Sequence, residues 1–195
     1  MSLLAGVVGV QGDVSEHRVA FERAGEELGY EIETVAVRDS GTVPDCDAVS
    51  IPGGESTTIS RLLNREEIDE ELKEHIEAGK PTLATCAGLI VLDHPGDERV
   101  ESLGVLDVEV NRNAFGGQRE SFEADIDAEG LDEPFHAVFI RAPVVETVGD
   151  DAEVLAEFDG DVVAVRQGNV IGTAFHPELT DDYRLHELLL RGHDD

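Results

Sequence analysis

The sequence predicts an α/β fold in which helices cover both faces of a doubly wound, mostly parallel sheet, with additional antiparallel strands in the C-terminal half. In the first half of the chain, apolar runs typical of buried strands alternate with helical segments. Strands separated by helices pair in parallel and place the helices on the two faces. In the second half strand-like segments follow one another directly, and Gly168 in Gln167-Gly-Asn169 gives a hairpin signal.

Each element has its own signal in the sequence. The apolar run over residues 3–10 predicts the first buried strand, and Asp13 or Ser15 is suited to cap a helix over 15–28. The remaining predicted strands cover 31–37, 48–51, 81–85, 105–110, 121–126, 135–141, 153–158, 161–166 and 170–175. The remaining predicted helices cover 56–63, 66–78, a segment beginning near residue 89, and 181–191.

Length and charge narrow the class of protein. A chain of 195 residues suits a single domain spanning 1–195. With 44 acidic residues against 14 basic ones the formal net charge is −30, and no basic footprint for nucleic acid is visible. The acids are spread among regular apolar segments, so we interpret them as the surface of a folded, halophilic protein whose charge repulsion is screened by salt. This interpretation predicts destabilisation in dilute buffer.

The cysteines and the hydropathy pattern bear on location. The sequence shows no N-terminal signal and no apolar run long enough to span a membrane, so we expect no membrane partner. The two cysteines lie 40 residues apart without a disulfide framework, which fits a cytoplasmic location. Cys46 lies between Asp45 and Asp47, whose carboxylates disfavour a thiolate, so we expect Cys46 to pack in the fold.

Cys86 is the strongest candidate for a catalytic residue. It follows an apolar run that predicts a strand, and the small pair Ala87-Gly88 permits a sharp turn into a helix. At such an elbow the helix dipole and free N–H groups favour the thiolate. Further along the chain, His176-Pro-Glu178 supplies a base and a carboxylate to orient it. Residues two apart in an extended segment project to the same side, so these side chains can face each other.

The same residues could also have purely structural roles. A lone cysteine in an apolar stretch is most often a core residue, and the histidine and glutamate are common on surfaces. Their combination with a strand–elbow–helix context favours acyl chemistry. A zinc-deaminase site is excluded, because its His-x-Glu signature needs a downstream Pro-Cys-x-x-Cys that this chain lacks. We therefore predict no metal.

A glycine-rich loop after the third predicted strand, Pro52-Gly-Gly-Glu-Ser-Thr-Thr58, supports the candidate site. Sites in doubly wound sheets form at the carboxyl ends of the strands, so we expect this loop to meet the loops of Gln11 and Cys86. Its amides and that of Ala87 could then stabilise an oxyanion. A simple turn capped by Ser56 explains the glycine pair equally well. No Gly-Lys-Ser/Thr follows, which excludes a phosphate-binding P-loop.

Two arginines at predicted strand ends complete the candidate site. Arg112 in Arg112-Asn-Ala-Phe-Gly116 and Arg141 in Phe139-Ile-Arg-Ala-Pro143 can clamp a substrate carboxylate. For Arg166, in Arg166-Gln-Gly-Asn169, we favour charge compensation among so many acids.

Together these segments resemble the glutaminase subunits of pyridoxal 5′-phosphate synthase, a family of class I (triad) glutamine amidotransferases with a flavodoxin-like fold. Three further segments share the resemblance, namely Gly9-Val-Gln-Gly-Asp13, Thr85-Cys-Ala-Gly-Leu-Ile90 and Phe175-His-Pro-Glu-Leu-Thr180. All come in the family order and span nearly the whole chain. Two positions depart from the family pattern, because Gly117 stands where an arginine is usual and Ala84 where a glycine is common.

The resemblance implies a reaction and its residues. L-Glutamine would be hydrolysed to L-glutamate and ammonia through a glutamyl thioester, and the ammonia would pass to a synthase subunit in a hetero-oligomeric complex. The implied residues are Cys86, His176 and Glu178 for the triad, Gly54 and Ala87 for the oxyanion hole, Gly53, Gly54, Glu55, Ser56, Arg112, Ile140 and Arg141 for glutamine, and Gln11 for the synthase interface. We predict no cofactor, since no lysine near the site could form a Schiff base with pyridoxal phosphate.

Three alternatives stay open at this level. A glutaminase could feed a different synthase, such as those of histidine or purine biosynthesis. A similar elbow also serves cysteine peptidases and chaperone-like proteins. A binding or regulatory module could keep the fold, although the intact triad argues against it.

Overall fold

The structure is a computed structural model that describes residues 1–12, 14–93, 99–112 and 121–192. Its strands are β1 (Ser2–Val8), β2 (Glu31–Val37), β3 (Ala48–Ile51), β4 (Thr82–Thr85), β5 (Val108–Asn111), β6 (Ser121–Ile126), β7 (Phe135–Ile140), β8 (Val144–Val148), β9 (Glu153–Phe158), β10 (Asp161–Gln167) and β11 (Val170–Thr173). Its α-helices are α1 (Val14–Leu28), α2 (Ser56–Arg65), α3 (Asp69–Glu77), α4 (Ala87–Leu92) and α5 (Arg184–Arg191), and short 3-10 helices cover Val43–Asp45 and Pro177–Leu179. The predictions for Asp13 and for residues 113–120, Gly117 among them, lie outside the described residues.

The central sheet has the strand order β2-β1-β3-β4-β11-β10-β8-β5, with β9 paired to β10. The strands from β2 to β11 in this order pair in parallel. In contrast, β10, β8, β5 and β9 join the sheet by antiparallel pairing, and β6 and β7 form a separate antiparallel pair. The predicted fold class is therefore confirmed, including the change to antiparallel pairing in the C-terminal half.

Apolar side chains form a core on each face of the central sheet. One core contains residues of α1, α5 and the β6–β7 pair, with Phe21, Phe139 and Leu189 buried in it. The other contains residues of α2, α3 and α4. Neighbouring strand residues alternate between them, since Leu83 belongs to the first core and Ala84 to the second, as the two-residue period of a strand requires. Within the described ranges, no helix has the length and apolar character needed to cross a membrane.

β8 is a strand that the sequence does not predict. Its first two residues, Val144 and Val145, are both buried, so the alternation that signals a half-exposed strand is missing at its start. A single residue pair, Val145 with Val162, registers β8 against β10. The missing alternation leaves this strand without a clear pattern in the sequence.

Several element boundaries also differ from the prediction. β5 begins at Val108 because the N–H groups of Val105 and Leu106 both donate to the carbonyl of Leu92, at 3.1 and 3.0 Å. β1 ends at Val8, and α1 already begins at Val14, so Ser15 lies inside the helix and does not cap it. α5 begins later than residue 181, and the preceding turn is held by the carboxylate of Asp182, which accepts from the Arg184 N–H at 3.2 Å.

The carboxyl ends of β1, β3 and β4 meet at one edge of the sheet, as predicted. Gly12, which follows β1, has φ +96° and lies so close to the Gly53 carbonyl oxygen that a Cβ on Gly12 would overlap it. Gly53 follows β3 and lies in turn against Cys86, which follows β4, since a Cβ on Gly53 would be 3.3 Å from the Cys86 Cβ. Glycines at these positions let the loops after the three strands pack without side chains between them.

Candidate active site

Cys86 lies at an elbow between β4 and α4, with Ala87 as the first residue of the helix. Its backbone has φ 51° and ψ −108°, a conformation that costs energy for any residue but glycine and is concentrated at functional sites. Gly88 permits this turn because a Cβ there would overlap the carbonyl oxygen of Ile51. The N–H of Cys86 donates to the carbonyl of Thr173 at 2.8 Å. The predicted strand–elbow–helix is therefore present and fixed to both neighbouring strands.

His176 and Glu178 follow β11 and lie side by side. The Nδ1 atom of His176 is 2.7 Å from Oε1 of Glu178, so the two side chains face each other as predicted. Their backbone differs from the prediction, because Pro177–Leu179 forms a 3-10 helix with His176 at its N-cap, where an extended segment was expected. The fixed φ of Pro177 favours the first position of a helical turn.

Hydrogen bonds among these side chains set their protonation states. Burial by itself lowers the pKa of His176, but hydrogen bonds with Cys86 and Glu178 outweigh it and raise the pKa to about 10. Burial raises the pKa of Glu178, but the charges and hydrogen bonds of His17 and His176 hold that pKa well below its usual range. His176 is therefore an imidazolium placed between a carboxylate and a cysteine sulfur, which is the environment that activates a cysteine as a nucleophile.

The glycine pair of the loop after β3 lies against the histidine and the cysteine. A Cβ on Gly53 would be 2.6 Å from Cε1 of His176 and 3.3 Å from the Cys86 Cβ. Gly54 has φ +147°, and a Cβ there would be 2.8 Å from Oε1 of Gln11. Any side chain at either position would push the loop away from the site. The backbone of this loop is thus in van der Waals contact with the Cys86–His176 pair.

Glu55 orders the rest of that loop. Its carboxylate caps α2 by accepting from the N–H groups of Thr57 and Thr58, at 3.2 and 2.8 Å, so the cap is Glu55 where the sequence suggested Ser56. Hydrogen bonds from Thr58 dominate over burial and lower the pKa of Glu55 to about 2. Arg112 pairs with Oε1 of the same carboxylate at 3.1 Å. Ser56 is buried as the first residue of α2.

Gln11 joins the loop after β1 to the same structure. Its Oε1 atom accepts from the N–H of Glu55 at 2.6 Å. Four of the residues expected to bind glutamine or the partner are therefore linked in a chain of contacts, in which Gln11 contacts Gly54 and Glu55, and Glu55 contacts Arg112. The structure brings this group next to Gly53 and hence to Cys86.

The end of β7 also lies against the cysteine. Sγ of Cys86 lies 3.7 Å from the carbonyl oxygen of Ile140, while the Ile140 side chain is 40% exposed. Arg141 follows with φ 47°, again in the left-handed region that non-glycine residues avoid. Positive φ values thus occur at Cys86 itself and at the residue directly after the carbonyl that contacts its sulfur.

His17 is a residue of the site that sequence reasoning did not single out. It lies on the buried face of α1, is 0% exposed, and places Nε2 3.3 Å from Oε1 of Glu178 and 3.4 Å from Oγ1 of Thr85. The available signal was a histidine in helical register with Ala20, Phe21 and Ala24 on an otherwise apolar face. A polar group in such a position needs a polar partner inside the fold.

This geometry defines a class of protein, a hydrolase with an elbow cysteine and a His–Glu pair on a doubly wound sheet. The chain belongs to the SNO glutamine amidotransferase family, whose model matches residues 7–194. A protein of Halorubrum lacusprofundi named pyridoxal 5′-phosphate synthase subunit PdxT is 62% identical over 185 residues, covering 94% of each chain. One of the same name from Haloarcula marismortui is 61% identical over 189 residues, covering 96% of each chain.

Solved structures agree with this family assignment. A crystal structure described as a glutamine amidotransferase superposes with a TM-score of 0.87 at 44% identity, covering 98% of this chain and 99% of that one. A structure of PurLQS from Thermotoga maritima superposes with a TM-score of 0.62 at only 20% identity, covering 99% of this chain and 98% of that chain. The second likeness shows that the fold is shared and carries no further argument.

Proposed function

We propose that this protein hydrolyses L-glutamine to L-glutamate and ammonia, and that the ammonia passes to the synthase subunit that builds pyridoxal 5′-phosphate. The observation that carries the proposal is the contact of Cys86, His176 and Glu178 at the carboxyl edge of the sheet, in a chain of the glutamine amidotransferase family. The name shared by relatives at about 60% identity favours this synthase over those of histidine or purine biosynthesis.

The first half of the reaction forms a thioester. The Cys86 thiolate attacks the side-chain carboxamide carbon of glutamine, and the carbonyl oxygen becomes an oxyanion. The imidazolium of His176 then gives its proton to the leaving nitrogen, so the C–N bond breaks and ammonia departs. Glu178 holds the ring through Nδ1 at 2.7 Å and stabilises its positive charge throughout.

The second half releases glutamate. His176, now neutral, removes a proton from a water molecule that attacks the thioester carbon. The tetrahedral intermediate collapses, the C–S bond breaks, and glutamate leaves while Cys86 and His176 return to their starting charges. The same histidine therefore serves as acid in the first half and as base in the second.

The oxyanion is assigned to backbone amides of Gly54 and Ala87. Ala87 begins α4 directly after the nucleophile, where N–H groups have no partner inside the helix. The loop of Gly53 and Gly54 lies against Cys86, which supports its role as the second source of a donor. One such donor is worth about 3–4 kcal/mol of transition-state stabilisation.

Glutamine is assigned to the region between the loop of Gly53 and the end of β7 at Ile140, since both lie against Cys86. Arg112, held by Glu55, and Arg141 are the cations that can bind the α-carboxylate of the substrate. Glu55 and Ser56 are assigned to one side of the substrate, and Ile140, which is 40% exposed, to the other. Binding of the α-carboxylate by these arginines would thus favour glutamine over an amide without a carboxylate.

The partner is assigned to the face that carries Gln11. Because Gln11 accepts a hydrogen bond from the loop that holds Gly54 and Glu55, docking at Gln11 can adjust that loop and so regulate hydrolysis.

We also propose that the protein acts in the cytoplasm as one glutaminase domain over 1–195 and needs no cofactor. Its net charge of −30 suits the salt in which its haloarchaeal relatives work.

The deciding experiment is an assay of glutamate release from L-glutamine in molar salt, with and without the cognate synthase subunit. We expect hydrolysis that increases when the synthase is added, and transfer of ¹⁵N from amide-labelled glutamine into pyridoxal phosphate. Hydrolysis that the synthase leaves unchanged would contradict the partner assignment. A folded protein that releases no glutamate in either condition would contradict the reaction itself.

A further inference from the structure

Glu178 is shared between two histidines. Its Oε1 atom lies 2.7 Å from Nδ1 of His176 and 3.3 Å from Nε2 of His17. The other carboxylate oxygen, Oε2, has no hydrogen-bond partner among the described residues. Both histidines therefore contact the same oxygen. The contact with His176 belongs to the triad, and the contact with His17 still needs an explanation.

A carboxylate held by a single hydrogen bond can turn about its last side-chain torsion, which is broad for glutamate. A second donor from a fixed direction removes this freedom and determines which oxygen faces His176. His17 is such a donor, because it is 0% exposed on α1 and also lies 3.4 Å from Oγ1 of Thr85. Thr85 ends β4 directly before Cys86, so His17 connects the carboxylate to the strand that carries the nucleophile.

The groups that face His17 limit what else it can do. From the 3-10 helix it meets Glu178, from β4 the hydroxyl of Thr85, and from α5 the ring of His186, with centroids 6.3 Å apart. Burial lowers the pKa of His186 to about 3, so His186 is neutral at working pH. Neither ring nitrogen of His186 has a hydrogen-bond partner in the part of the chain that the structure describes. Of these three neighbours, Glu178 is thus the charged one, and His17 contacts its carboxylate.

We propose that His17 is a positioning residue of the glutaminase reaction, whose Nε2–H donates to Glu178 and fixes the carboxylate that orients and charges His176. This inference rests on the proposed function. It adds a fourth side chain to the triad, at the end opposite to Cys86. This role requires a proton on Nε2 of His17.

The test compares two substitutions of His17 by amide side chains of different length. The amide nitrogen of glutamine in His17→Gln can occupy the position of Nε2, whereas the shorter side chain in His17→Asn matches Nδ1 and falls short of Glu178. His75→Asn is the matched control, because His75 is also a buried helix histidine with one bond from Nε2, to the carbonyl of Pro81 at 3.3 Å. His17→Leu is a second variant without a donor, in case the asparagine variant does not fold.

Steady-state glutamine hydrolysis is measured for each variant in complex with the synthase subunit in molar salt, together with the pKa of His176 by NMR of ¹⁵N-histidine-labelled protein. We expect His17→Asn to lower kcat about 10- to 100-fold with KM within about twofold, as for misplacement of a catalytic group. The pKa of His176 should fall in the same variant. His17→Gln should restore most of both properties, and His75→Asn should change neither.

Two results would overturn the inference. One is a wild-type kcat and His176 titration in His17→Asn and His17→Leu. The other is equal damage in His17→Gln and His17→Asn with an unchanged pKa of His176, because that pattern would mean that His17 only fills space. If the wild-type protein hydrolysed no glutamine, the proposed function would fail, while the NMR titration would still decide whether His17 positions Glu178.

Discussion

Two regions of the molecule each hold a buried cysteine and a histidine that is at most 13% exposed, and only one of them has the properties of a reaction centre. Cys86 and His176 lie at the carboxyl edge of the sheet. Cys46 and His75 lie near Lys80, whose ammonium group donates to the Cys46 carbonyl at 2.8 Å. The two cysteines are similarly shielded from solvent, with 8% and 0% exposure for Cys86 and Cys46.

The ionised partner makes the difference between the two regions. The ring of His75 hydrogen-bonds with the neutral carbonyl of Pro81, and burial lowers its pKa to about 4. The side chain of His176 is 13% exposed, and the hydrogen bonds with Cys86 and Glu178 outweigh the effect of this partial burial and raise its pKa to about 10. Burial raises the pKa of the Cys46 thiol to about 11. Burial therefore makes a cysteine and a histidine inert unless a charge is buried with them.

The largest expected effect is the difference in glutamine hydrolysis between variants of the two cysteines. Cys86→Ala should lower glutamine hydrolysis by about 1,000-fold or more, because no other group can form the thioester. Cys46→Ala should keep the activity within about twofold, since Cys46 is remote from the triad. Both are measured as glutamate release by the complex in molar salt. Substantial hydrolysis by Cys86→Ala would remove the basis of the comparison.

Thiol reactivity should differ nearly as much. In the native protein near neutral pH, iodoacetamide should modify Cys86 about 100-fold faster than Cys46, because the raised pKa of Cys46 lowers the fraction of the reactive thiolate at that residue. Peptide mass mapping over time gives both rates in one sample, with the unfolded protein as the reference for full access. His176→Asn should slow the modification of Cys86 and leave that of Cys46 unchanged. Equal native rates would show that the two environments do not differ as described.

Much of the parallel half could be predicted because its signals are local. β2 and β3 match their predicted limits, since β3 is mostly apolar, β2 is rich in β-branched residues, and turn residues bound both. β8 could not be predicted, because its buried start depends on pairing with β10 and β5, which are distant in sequence. The 3-10 helix over Pro177–Leu179 was missed because the spacing of His176 and Glu178 fits an extended segment equally well.

The site was predictable where a residue type carries its own chemistry. A cysteine after a strand and a His-Pro-Glu segment indicate a nucleophile and its base without any structure. Glu55 as the cap of α2 and His17 as a partner of Glu178 were not predictable, since their roles depend on contacts made in three dimensions. A glutamate before a helix and a histidine on a helix face are common in any sequence. Only packing gives them a specific partner.

A third prediction concerns the glycines that accommodate the two cysteines. In Gly88→Ala the new Cβ would overlap the carbonyl oxygen of Ile51, a backbone atom of β3 that cannot move alone. We expect a loss of about 3 kcal/mol or more in the free energy of unfolding, at the upper end for overpacking, and a loss of activity as the elbow shifts. In Gly6→Ala the Cβ would be 2.7 Å from Sγ of Cys46, and we expect a smaller loss of about 1–3 kcal/mol.

The two glycine variants are distinguished by rescue. Cys46→Ala removes the atom that Gly6→Ala collides with, so the double variant should recover part of the lost stability, which denaturant unfolding in molar salt measures as a coupling energy. No side-chain change can relieve the collision of Gly88→Ala with a backbone oxygen. Additive losses in the Gly6→Ala, Cys46→Ala pair would contradict the close packing of Gly6 on Cys46.

The smallest expected effect is the pH dependence of stability, which should have opposite signs in the two regions. The pKa of His75 is lowered to about 4 in the folded protein, against about 6.5 when unfolded. Between pH 7 and pH 5 the unfolded chain therefore binds a proton at His75 that the folded protein does not bind. The free energy of unfolding should fall over this interval by about 2 kcal/mol from this residue alone.

His176 acts in the other direction, because its pKa is raised to about 10. Its contribution to stability is complete below about pH 6.5 and is lost as the pH rises towards 10. His75→Gln, which keeps a donor for Pro81 but does not titrate, should flatten only the acid side of the stability curve, and His176→Gln only the alkaline side. Unfolding curves at constant salt between pH 5 and 10 measure both. If each variant kept the slope of the wild-type protein on its side, neither histidine would be perturbed in the way that its neighbours imply.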